Sequence, residues 1–279
     1  MINVLLATYN SSEYLREQLD SLFAQTIQDW RLYVRDDCST DNTLAIIKEY
    51  QEKYPQRIVI IDNHNVSLRA YMNFVALLQA ADADYYMFCD HDDVWLPQKI
   101  EVSLTRMHEI EERTPDLPII IHTDMKVVDQ NLNVISDSFW NFSNLLPDST
   151  GFLEMVHCNS ANGCAMMFNH KAKMVALPNV NNATMHDILL NQSVSANNGI
   201  ISPIKIPMVL YRQHISNVVG AQKRDFHFYM HKLSNIPLLI KENVDSYKMA
   251  NRIKHIPIML FLFTKVKIFY LKRKNSKNE

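Results

Sequence analysis

Glycine is unusually rare in this chain, with four copies among 279 residues. The four are Gly151, Gly163, Gly199 and Gly220, so no glycine precedes residue 151. A G-x-G-x-x-G loop after a first strand and a phosphate-binding loop of the G-x-x-x-x-G-K-[ST] type both need glycines in that region. The two commonest nucleotide-binding loops are therefore excluded from the N-terminal half.

The sequence also lacks the signals of several other protein classes. No C-x-x-C pair occurs among its four cysteines, and no basic residue precedes the short apolar run at the N-terminus. No apolar stretch reaches the ~18 residues of a membrane-spanning helix, and the formal net charge is only −2. We therefore expect free thiols in a reducing compartment, a cytoplasmic location and no nucleic acid partner.

Short apolar runs alternate with helical periodicities through the first part of the chain. Strands are predicted at residues 2–7, 30–34, 58–61 and 85–89, and again at 119–123, 165–168 and 207–212. Helices are predicted after Asn10, over 41–54, from Ser67, from Pro97 and over 187–196. Four successive strand–helix units indicate an α/β fold, a Rossmann-like and mostly parallel sheet flanked by helices. We assign residues 1–220 to one catalytic domain and residues 221–279 to a helical C-terminal extension.

Polar clusters follow three of the predicted strands, and in an open parallel sheet ligands bind beyond the carboxyl ends of the strands. The clusters are Thr8-Tyr9-Asn10, Arg35-Asp36-Asp37 and Asp90-His91-Asp92-Asp93. Carboxylates this close together repel one another unless a cation relieves them, and such groups hold divalent metals with substrate phosphates. Trp95, just after the third cluster, also favours a site. The alternative is a solvated acidic turn that caps the helix near Pro97.

The ordered set of these motifs resembles the family 2 glycosyltransferases, which have the GT-A fold. The matching segments are residues 7–10 (Ala-Thr-Tyr-Asn), 34–43 and 88–95 (Phe-Cys-Asp-His-Asp-Asp-Val-Trp). The family usually has glycine where Cys38 stands. The second half is similar to the bacterial rhamnosyltransferase-like branch of the family, at residues 122–124, 162–168, 185–187 and 211–220.

This resemblance implies an inverting, metal-dependent transfer of a sugar from a nucleoside diphosphate donor to a cell-surface polysaccharide or lipid-linked glycan. It implies Asp187 as the catalytic base and a Mn²⁺ or Mg²⁺ ion held by Asp90 and Asp92. The donor-binding residues that we assign are Thr8, Tyr9, Asn10, Asp36, Arg69, Asp90, Arg212 and His214. The branch suggests dTDP-L-rhamnose as the donor, and a UDP-hexose is the alternative.

Each of these assignments has a structural alternative. Asp187 starts a predicted helix and could be only its N-cap, in which case Asp124 is the next candidate base. Arg69 could be a solvated surface residue, and His214 a structural histidine. For the whole chain, the rival functions are a nucleotidyltransferase, which would ordinarily have a glycine-rich basic loop after the first strand, and a non-catalytic glycan-binding module.

The C-terminal extension carries a possible membrane-binding signal. Residues 256–263 are apolar apart from Pro257, and basic residues follow at Lys265, Lys267, Lys272, Arg273, Lys274 and Lys277. Apolar anchors beside a basic cluster suit an anionic membrane surface. We therefore expect peripheral contact with the inner face of the cell membrane, the alternative being a helix packed on the catalytic domain.

Overall fold

The computed structural model describes residues 1–215, 217, 220–221 and 236–275. Its strands are β1 (Ile2–Thr8), β2 (Trp30–Asp36), β3 (Ile58–Ile60), β4 (Tyr85–Cys89), β5 (Val94–Trp95), β6 (Ile119–Val128), β7 (Val134–Ser136), β8 (Met166–Asn169) and β9 (Ile200–Arg212). Its helices are α1 (Leu15–Phe23), α2 (Thr43–Lys53), α3 (Arg69–Ala80), α4 (Lys99–Glu111), α5 (Phe139–Phe142), α6 (Phe152–His157), α7 (His170–Ala176), α8 (His186–Ala196), α9 (Ile236–Ile253) and α10 (Ile258–Asn275).

The strands form one mixed sheet in the order β3-β2-β1-β4-β8-β6-β9-β5, and β7 pairs with β6 outside this order. The first four strands in this order run parallel to one another. Strand β8 is antiparallel to both of its neighbours, β4 and β6, while β9 is parallel to β6. The predicted α/β architecture is confirmed, and β8 joins the four parallel strands to the parallel pair β6 and β9, while β5 and β7 are antiparallel to their neighbours β9 and β6.

Strand β1 lies at the centre of the protein, and all of its residues are buried. Val4 and Leu6 face the core shared with α1 and α2, whereas Leu5 and Ala7 face the core shared with α3 and α8. A strand covered on both faces gains from apolar side chains, which explains the apolar run over residues 4–7. The buried Asn3 is accommodated because its amide donates to the Asp82 carbonyl at 3.0 Å. The candidate site begins at Thr8, the last residue of the strand.

Several details differ from the sequence-based expectation. The two-residue edge strand β5 was not predicted, because so short a strand has no periodicity. Its Trp95 is 2% exposed and packs in the core, so it does not line the rim of the sheet. Helix α4 begins at Lys99 with Gln98 as its cap residue. The acidic turn therefore does not cap this helix, which removes the structural alternative for that cluster.

The C-terminal helices pack against the rest of the chain through α6 and α8. A small apolar core of Ala250, Ile256 and Phe261, with Tyr247 of α9 packed against it, joins them to Phe152 of α6. Within the described part of the chain, no helix is both long and apolar enough to span a bilayer. Lys277 lies outside the described residues, and the domain boundary at residue 220 stays a prediction.

Candidate active site

The carboxyl ends of β1 and β2 are joined through Asp36. Thr8 lies in register with Asp36 across the two strands, and its Oγ1 donates to Asp36 Oδ1 at 2.9 Å. Ser39 donates to the same carboxylate from its backbone N, at 2.7 Å, and from its Oγ, at 2.5 Å. Asp36 is only 2% exposed, so these hydrogen bonds fix its position at the strand end.

The loop after β1 is tied to the loop after β2 by Asn10. The Asn10 backbone N donates to Ser39 Oγ at 2.8 Å, and Asn10 Oδ1 accepts from the Thr40 backbone N at 2.9 Å. Tyr9 is 55% exposed beside this group. The structure therefore places the predicted donor-binding residues of the two strand ends together, with the Tyr9 side chain open to solvent.

Asp37 anchors the start of α3. Its carboxylate accepts hydrogen bonds from Arg35 Nη1 at 3.1 Å, Ser67 Oγ at 2.7 Å, and the backbone N atoms of Leu68 and Arg69 at 2.7 and 2.8 Å. Burial raises the pKa of Asp37, but the hydrogen bonds outweigh burial and the net pKa is lowered. Arg69 joins this cluster through its backbone, and its side chain is exposed.

Asp90 and Asp93 belong to an inner group with Cys164, in which the potential ligand atoms lie within 4.8 Å of one another. Burial, together with the charges of Asp92 and Asp187, raises the pKa of Asp90 to about 7. Burial likewise raises the pKa of Asp93 and of the Cys164 thiol. Two carboxylates and a thiol that converge in this way could hold a divalent cation, and the charge of that cation would lower their pKa values.

Asp92 points instead toward the end of β9. Its Oδ2 atom lies 2.8 Å from His214 Nε2 and 3.2 Å from Asn217 Nδ2. The imidazole nitrogen and the carboxylate oxygen face each other at hydrogen-bond distance, and both are ligand types that Mn²⁺ accepts. The two predicted metal ligands thus lie in adjacent groups. Asp90 belongs to the inner group, and Asp92 forms an outer group with His214.

Arg212 binds the backbone of the acidic turn Asp90-His91-Asp92-Asp93. Its guanidinium is buried, donates from Nε to the Asp92 carbonyl at 2.8 Å and from Nη1 to the Gln130 carbonyl at 2.6 Å, and pairs with Glu17. It also lies 4.5 Å from the centre of the Tyr14 ring. These contacts occupy the guanidinium inside the protein. We therefore assign Arg212 to positioning the turn rather than to direct donor contact, which replaces the sequence-based assignment.

Asp187 is the second residue of α8, whose cap residue is Met185. Asp187 is therefore not the N-cap, although it lies in the first turn of the helix. Its Oδ1 accepts from the Ile188 backbone N at 2.7 Å, and its Oδ2 accepts from Asn159 Nδ2 at 2.8 Å. Burial raises the pKa of Asp187 despite these hydrogen bonds. A carboxylate held at a raised pKa accepts a proton more readily than an exposed one.

Asn159 is itself held by Asn191, one helical turn along α8 from Asp187. Asn191 Nδ2 donates to Asn159 Oδ1 at 2.5 Å and to the Ala161 carbonyl at 2.7 Å. The Asn159 amide is thereby oriented with its NH₂ group toward Asp187. This arrangement fixes one face of the carboxylate and could not be inferred from the isolated motif Met185-His186-Asp187.

The ring of His186 packs directly against the backbone of Gly163. Its ring centre lies 4.0 Å from that of Phe74 and 4.6 Å from that of Phe88. A Cβ atom on Gly163 would lie 2.1 Å from His186 Nε2, so the side chain of any other residue would collide with the ring. Burial lowers the pKa of His186 to about 3, which leaves the ring neutral beside Asp187.

Asp124, the second candidate base, is committed to the start of α5. Its Oδ2 accepts from Ser138 Oγ at 2.6 Å, and its Oδ1 accepts from the backbone N atoms of Met125 and Trp140 at 2.8 and 3.2 Å. Three partners within the protein suit a structural carboxylate. Asp187 is thus the better placed of the two.

The family is decided by a comparison over more than half of the chain. Residues 3–166 match the model of glycosyl transferase family 2. The chain belongs to glycosyltransferase family 2. It is 40% identical over 99 residues to the dTDP-rhamnosyl transferase RfbG of Shigella flexneri, an alignment that covers 34% of each protein. The alignments to the first curated relatives each span less than half of the relative's length.

Solved structures support the fold at low sequence identity. Staphylococcus aureus TarS (residues 1–349), in complex with UDP-GlcNAc, aligns with a TM-score of 0.59 and 18% identity over 90% of this chain and 72% of TarS. The mannosyltransferase PcManGT of Pyrobaculum calidifontis, in complex with GDP-Man and Mn²⁺, aligns with a TM-score of 0.55 and 13% identity over 90% of this chain and 64% of PcManGT. Both are similar to this family 2 member in fold.

Several residues of the family 2 site escape sequence reasoning. Asn159 and Asn217 are common loop residues with no local signal. Lys99 lies fully buried beneath the acidic turn, 3.4 Å from the centre of the Trp95 ring, and burial lowers its pKa to about 7. A lysine in a predicted helix carries no local signal of such burial.

Proposed function

We propose that the protein is an inverting glycosyltransferase that moves a sugar from a nucleoside diphosphate donor to a glycan hydroxyl. The observation that carries this proposal is the half-buried Asp187 carboxylate, held by Asn159 close enough to the acidic turn for its charge to raise the pKa of Asp90. A base next to a group of carboxylates suits the transfer of a sugar away from a phosphate leaving group.

The reaction needs a single displacement. Asp187 takes the proton of the acceptor hydroxyl while the hydroxyl oxygen bonds to the anomeric carbon of the donor sugar. The bond between that carbon and the diphosphate oxygen breaks, and the nucleoside diphosphate leaves with the electron pair. One base and one displacement invert the anomeric configuration, unlike the two-carboxylate mechanism of retaining hydrolases.

Asp90, Asp92 and His214 would hold a Mn²⁺ or Mg²⁺ ion, and the nitrogen ligand favours Mn²⁺. The ion would neutralise negative charge that develops on the departing diphosphate. Asn217 and the Arg212 guanidinium keep Asp92 in place through their hydrogen bonds to it. Thr8, Tyr9, Asn10 and Asp36 would bind the nucleoside, and Arg69 would lie at its edge.

We propose dTDP-L-rhamnose as the donor and a cell-surface polysaccharide or lipid-linked saccharide as the acceptor. The similarity to RfbG supports the rhamnosyl donor, while the TarS complex with UDP-GlcNAc keeps a UDP-hexose as the alternative. We place the enzyme in the cytoplasm, at the inner face of the membrane. The four cysteines are free thiols, which suits a reducing compartment.

The proposal is tested by replacing Asp187 with Asn. The amide oxygen can still accept one of the two hydrogen bonds, so we expect the free energy of unfolding to fall by no more than about 1 kcal/mol. Transfer from dTDP-L-rhamnose in the presence of Mn²⁺ should fall by roughly 10²–10⁴-fold, because the general base is lost. Donor affinity, measured by calorimetry, should stay near that of the wild type.

Product analysis separates this proposal from its rivals. A glycosyltransferase releases a nucleoside diphosphate, even in slow donor hydrolysis, whereas a nucleotidyltransferase releases pyrophosphate and a binding module releases neither. Asp124→Asn is the matched control variant. We expect it to lower the free energy of unfolding and to leave transfer activity largely intact. If the Asp187→Asn protein keeps wild-type transfer activity, another residue is the base.

A further inference from the structure

We propose that α10 lies flat on an anionic membrane through an outward face made of Met259, Leu262, Phe263, Val266 and Tyr270. Their side chains are 74, 48, 69, 67 and 65% exposed, respectively. Spacings of three and four residues place them on one side of the helix. We call this surface the outer face of α10. Apolar exposure of this extent on one helix marks an interaction surface rather than scattered surface residues.

The opposite side of α10 is already used. Phe261, Thr264 and Ile268 are buried against the protein, and Ile256 before the helix is buried with Phe261 in the small core. The apolar run 256–263 predicted from the sequence therefore divides between two roles. Ile256 and Phe261 attach the helix to the enzyme, while Met259 and Phe263 face outward. The packed-helix and membrane-contact alternatives thus describe two sides of one element.

The charges of α10 favour an anionic lipid surface over other partners. The helix contains five basic residues and no Asp or Glu. Arg273 and Lys274 are exposed at its C-terminal end, and Lys267 borders the outer face while pairing with Glu154 at 2.7 Å. A second copy of the same helix would offer only more positive charge. Anionic headgroups complement the basic residues while the hydrocarbon accepts the apolar ones.

The neighbouring groove fits the same partner. An open cavity of about 490 Å³ lies between α6 and α10, and Phe152, Leu153, Leu260 and Phe263 are among its lining residues. Lys254 stands at its edge, 6.0 Å from the centre of the Phe152 ring. An apolar groove with a cation at its edge and open toward the outer face could take part of one lipid chain below its headgroup. The basic residues of the helix begin at Lys265 and continue to Lys274, beyond its apolar N-terminal half, which suits lying on a bilayer.

The membrane-facing helix is joined to the candidate base by α6. His157, the last residue of α6, lies with its Nε2 atom 2.9 Å from the Phe261 carbonyl of α10. Asn159, two residues later, donates to Asp187. Helix α6 therefore connects the membrane-facing helix α10 to the segment that holds the candidate base. This placement suits an acceptor that is presented at a membrane.

The test is co-sedimentation of the full chain with vesicles of phosphatidylcholine, with and without 30% phosphatidylglycerol, the fraction being roughly that of an anionic leaflet. We expect binding to the anionic vesicles, and at least tenfold weaker partitioning for the double variant Phe263→Ser/Val266→Ser. Arg273→Gln/Lys274→Gln should weaken partitioning by about 25-fold, at about fivefold per basic residue, and only on anionic vesicles. High salt should weaken the wild type in the same way.

The control is Val134→Ser/Ile135→Ser, which removes two apolar residues that are each 53% exposed on β7, away from α10. This variant should bind vesicles like the wild type. Equal, poor sedimentation of all proteins would overturn the proposal, and so would a dimer that dissociates in the Phe263→Ser/Val266→Ser protein. Binding of nucleotide sugars is measured in parallel, so failure here is distinguishable from failure of the proposed transferase activity.

Discussion

At the scale of single residues, the aspartates of the site differ in their hydrogen-bond partners. Asp36 accepts from Thr8 and Ser39, Asp92 faces His214, and Asp187 is held by Asn159. Identical carboxyl groups thus acquire different proton affinities and different ligands from their surroundings. Asp37, between two of these residues in sequence, serves only to anchor α3.

The pairing of Asp92 with His214 predicts a joint metal site. Asp92→Ala and His214→Ala should each abolish the Mn²⁺-dependent part of nucleotide binding, since removing one ligand leaves too few protein donors. Calorimetry with dTDP and dTDP-L-rhamnose, with and without Mn²⁺, measures this. The control is Asp148→Ala, which removes an exposed carboxylate paired with Lys205. Unchanged metal dependence in the His214 variant would assign that residue to structure alone.

The hydrogen bond from Asn159 to Asp187 predicts a positioning role for Asn159. Asn159→Ala should lower kcat by about 10-fold, the equivalent of one hydrogen bond to a charged group, with little change in donor affinity. Asn179→Ala is the matched control, because Asn179 also donates to α8, to Ser193 Oγ at 3.2 Å, but lies away from the base. If both variants lose stability equally and neither loses kcat, Asn159 only supports the fold.

At the scale of elements, the turn after β2 is strained by its central residue. Cys38 has a φ of 67°, in the left-handed region that disfavours a side chain. This explains why glycine is usual at the corresponding position of the family. The turn keeps its shape because Ser39, the next residue, donates to Asp36 through both its backbone and its side chain. Local strain at a binding loop is thus balanced by hydrogen bonds to a strand end.

Cys38→Gly should therefore raise the free energy of unfolding by about 0.5–1 kcal/mol, the relief of left-handed strain less the entropy that glycine adds to the unfolded chain. Urea denaturation measures the change. Cys38→Ala removes the thiol but keeps the Cβ atom, so it should give no such gain. A stabilisation shared by both variants would point to the thiol rather than to the backbone.

At the scale of the whole molecule, the mixed sheet encloses titratable groups. His122 on β6 is fully buried beside Trp140, with ring centres 5.3 Å apart, and burial lowers its pKa to about 3. His186 is buried against Phe74 and Phe88, with a similarly lowered pKa. Both rings are neutral in the folded protein, whereas they take up protons near pH 6.5 when the chain unfolds. Acid therefore favours the unfolded state.

The stability contributed by each neutral ring is complete above about pH 6.5 and is lost as the pH falls toward 3. Each histidine should lower the free energy of unfolding by about 1.4 kcal/mol per pH unit in that range. His122→Phe should flatten the profile between pH 6 and 4 by roughly this slope, as measured by urea titrations. His64→Phe, at an exposed position, should leave the slope unchanged. An unaltered slope in the His122 variant would mean that the ring is protonated in the folded state.

The sequence by itself determined the features that depend on neighbours along the chain. Uninterrupted apolar runs identified the buried strands, and the residues just after β1, β2 and β4 identified the rim where ligands bind. These inferences held because a parallel strand buried on both faces is mostly apolar along its length. The motif around Asp90 needed no tertiary information, since its carboxylates are adjacent in the sequence.

Only the tertiary structure decided how distant residues meet. His214 reaches Asp92 across 122 residues, Glu17 pairs with Arg212 across 195, and Asn159 meets Asp187 across 28. These contacts depend on where β9 and α8 pack, which no local pattern encodes. The same reason separates the two sides of α10, because helical spacing defines its faces but only packing against α6 decides which face remains exposed.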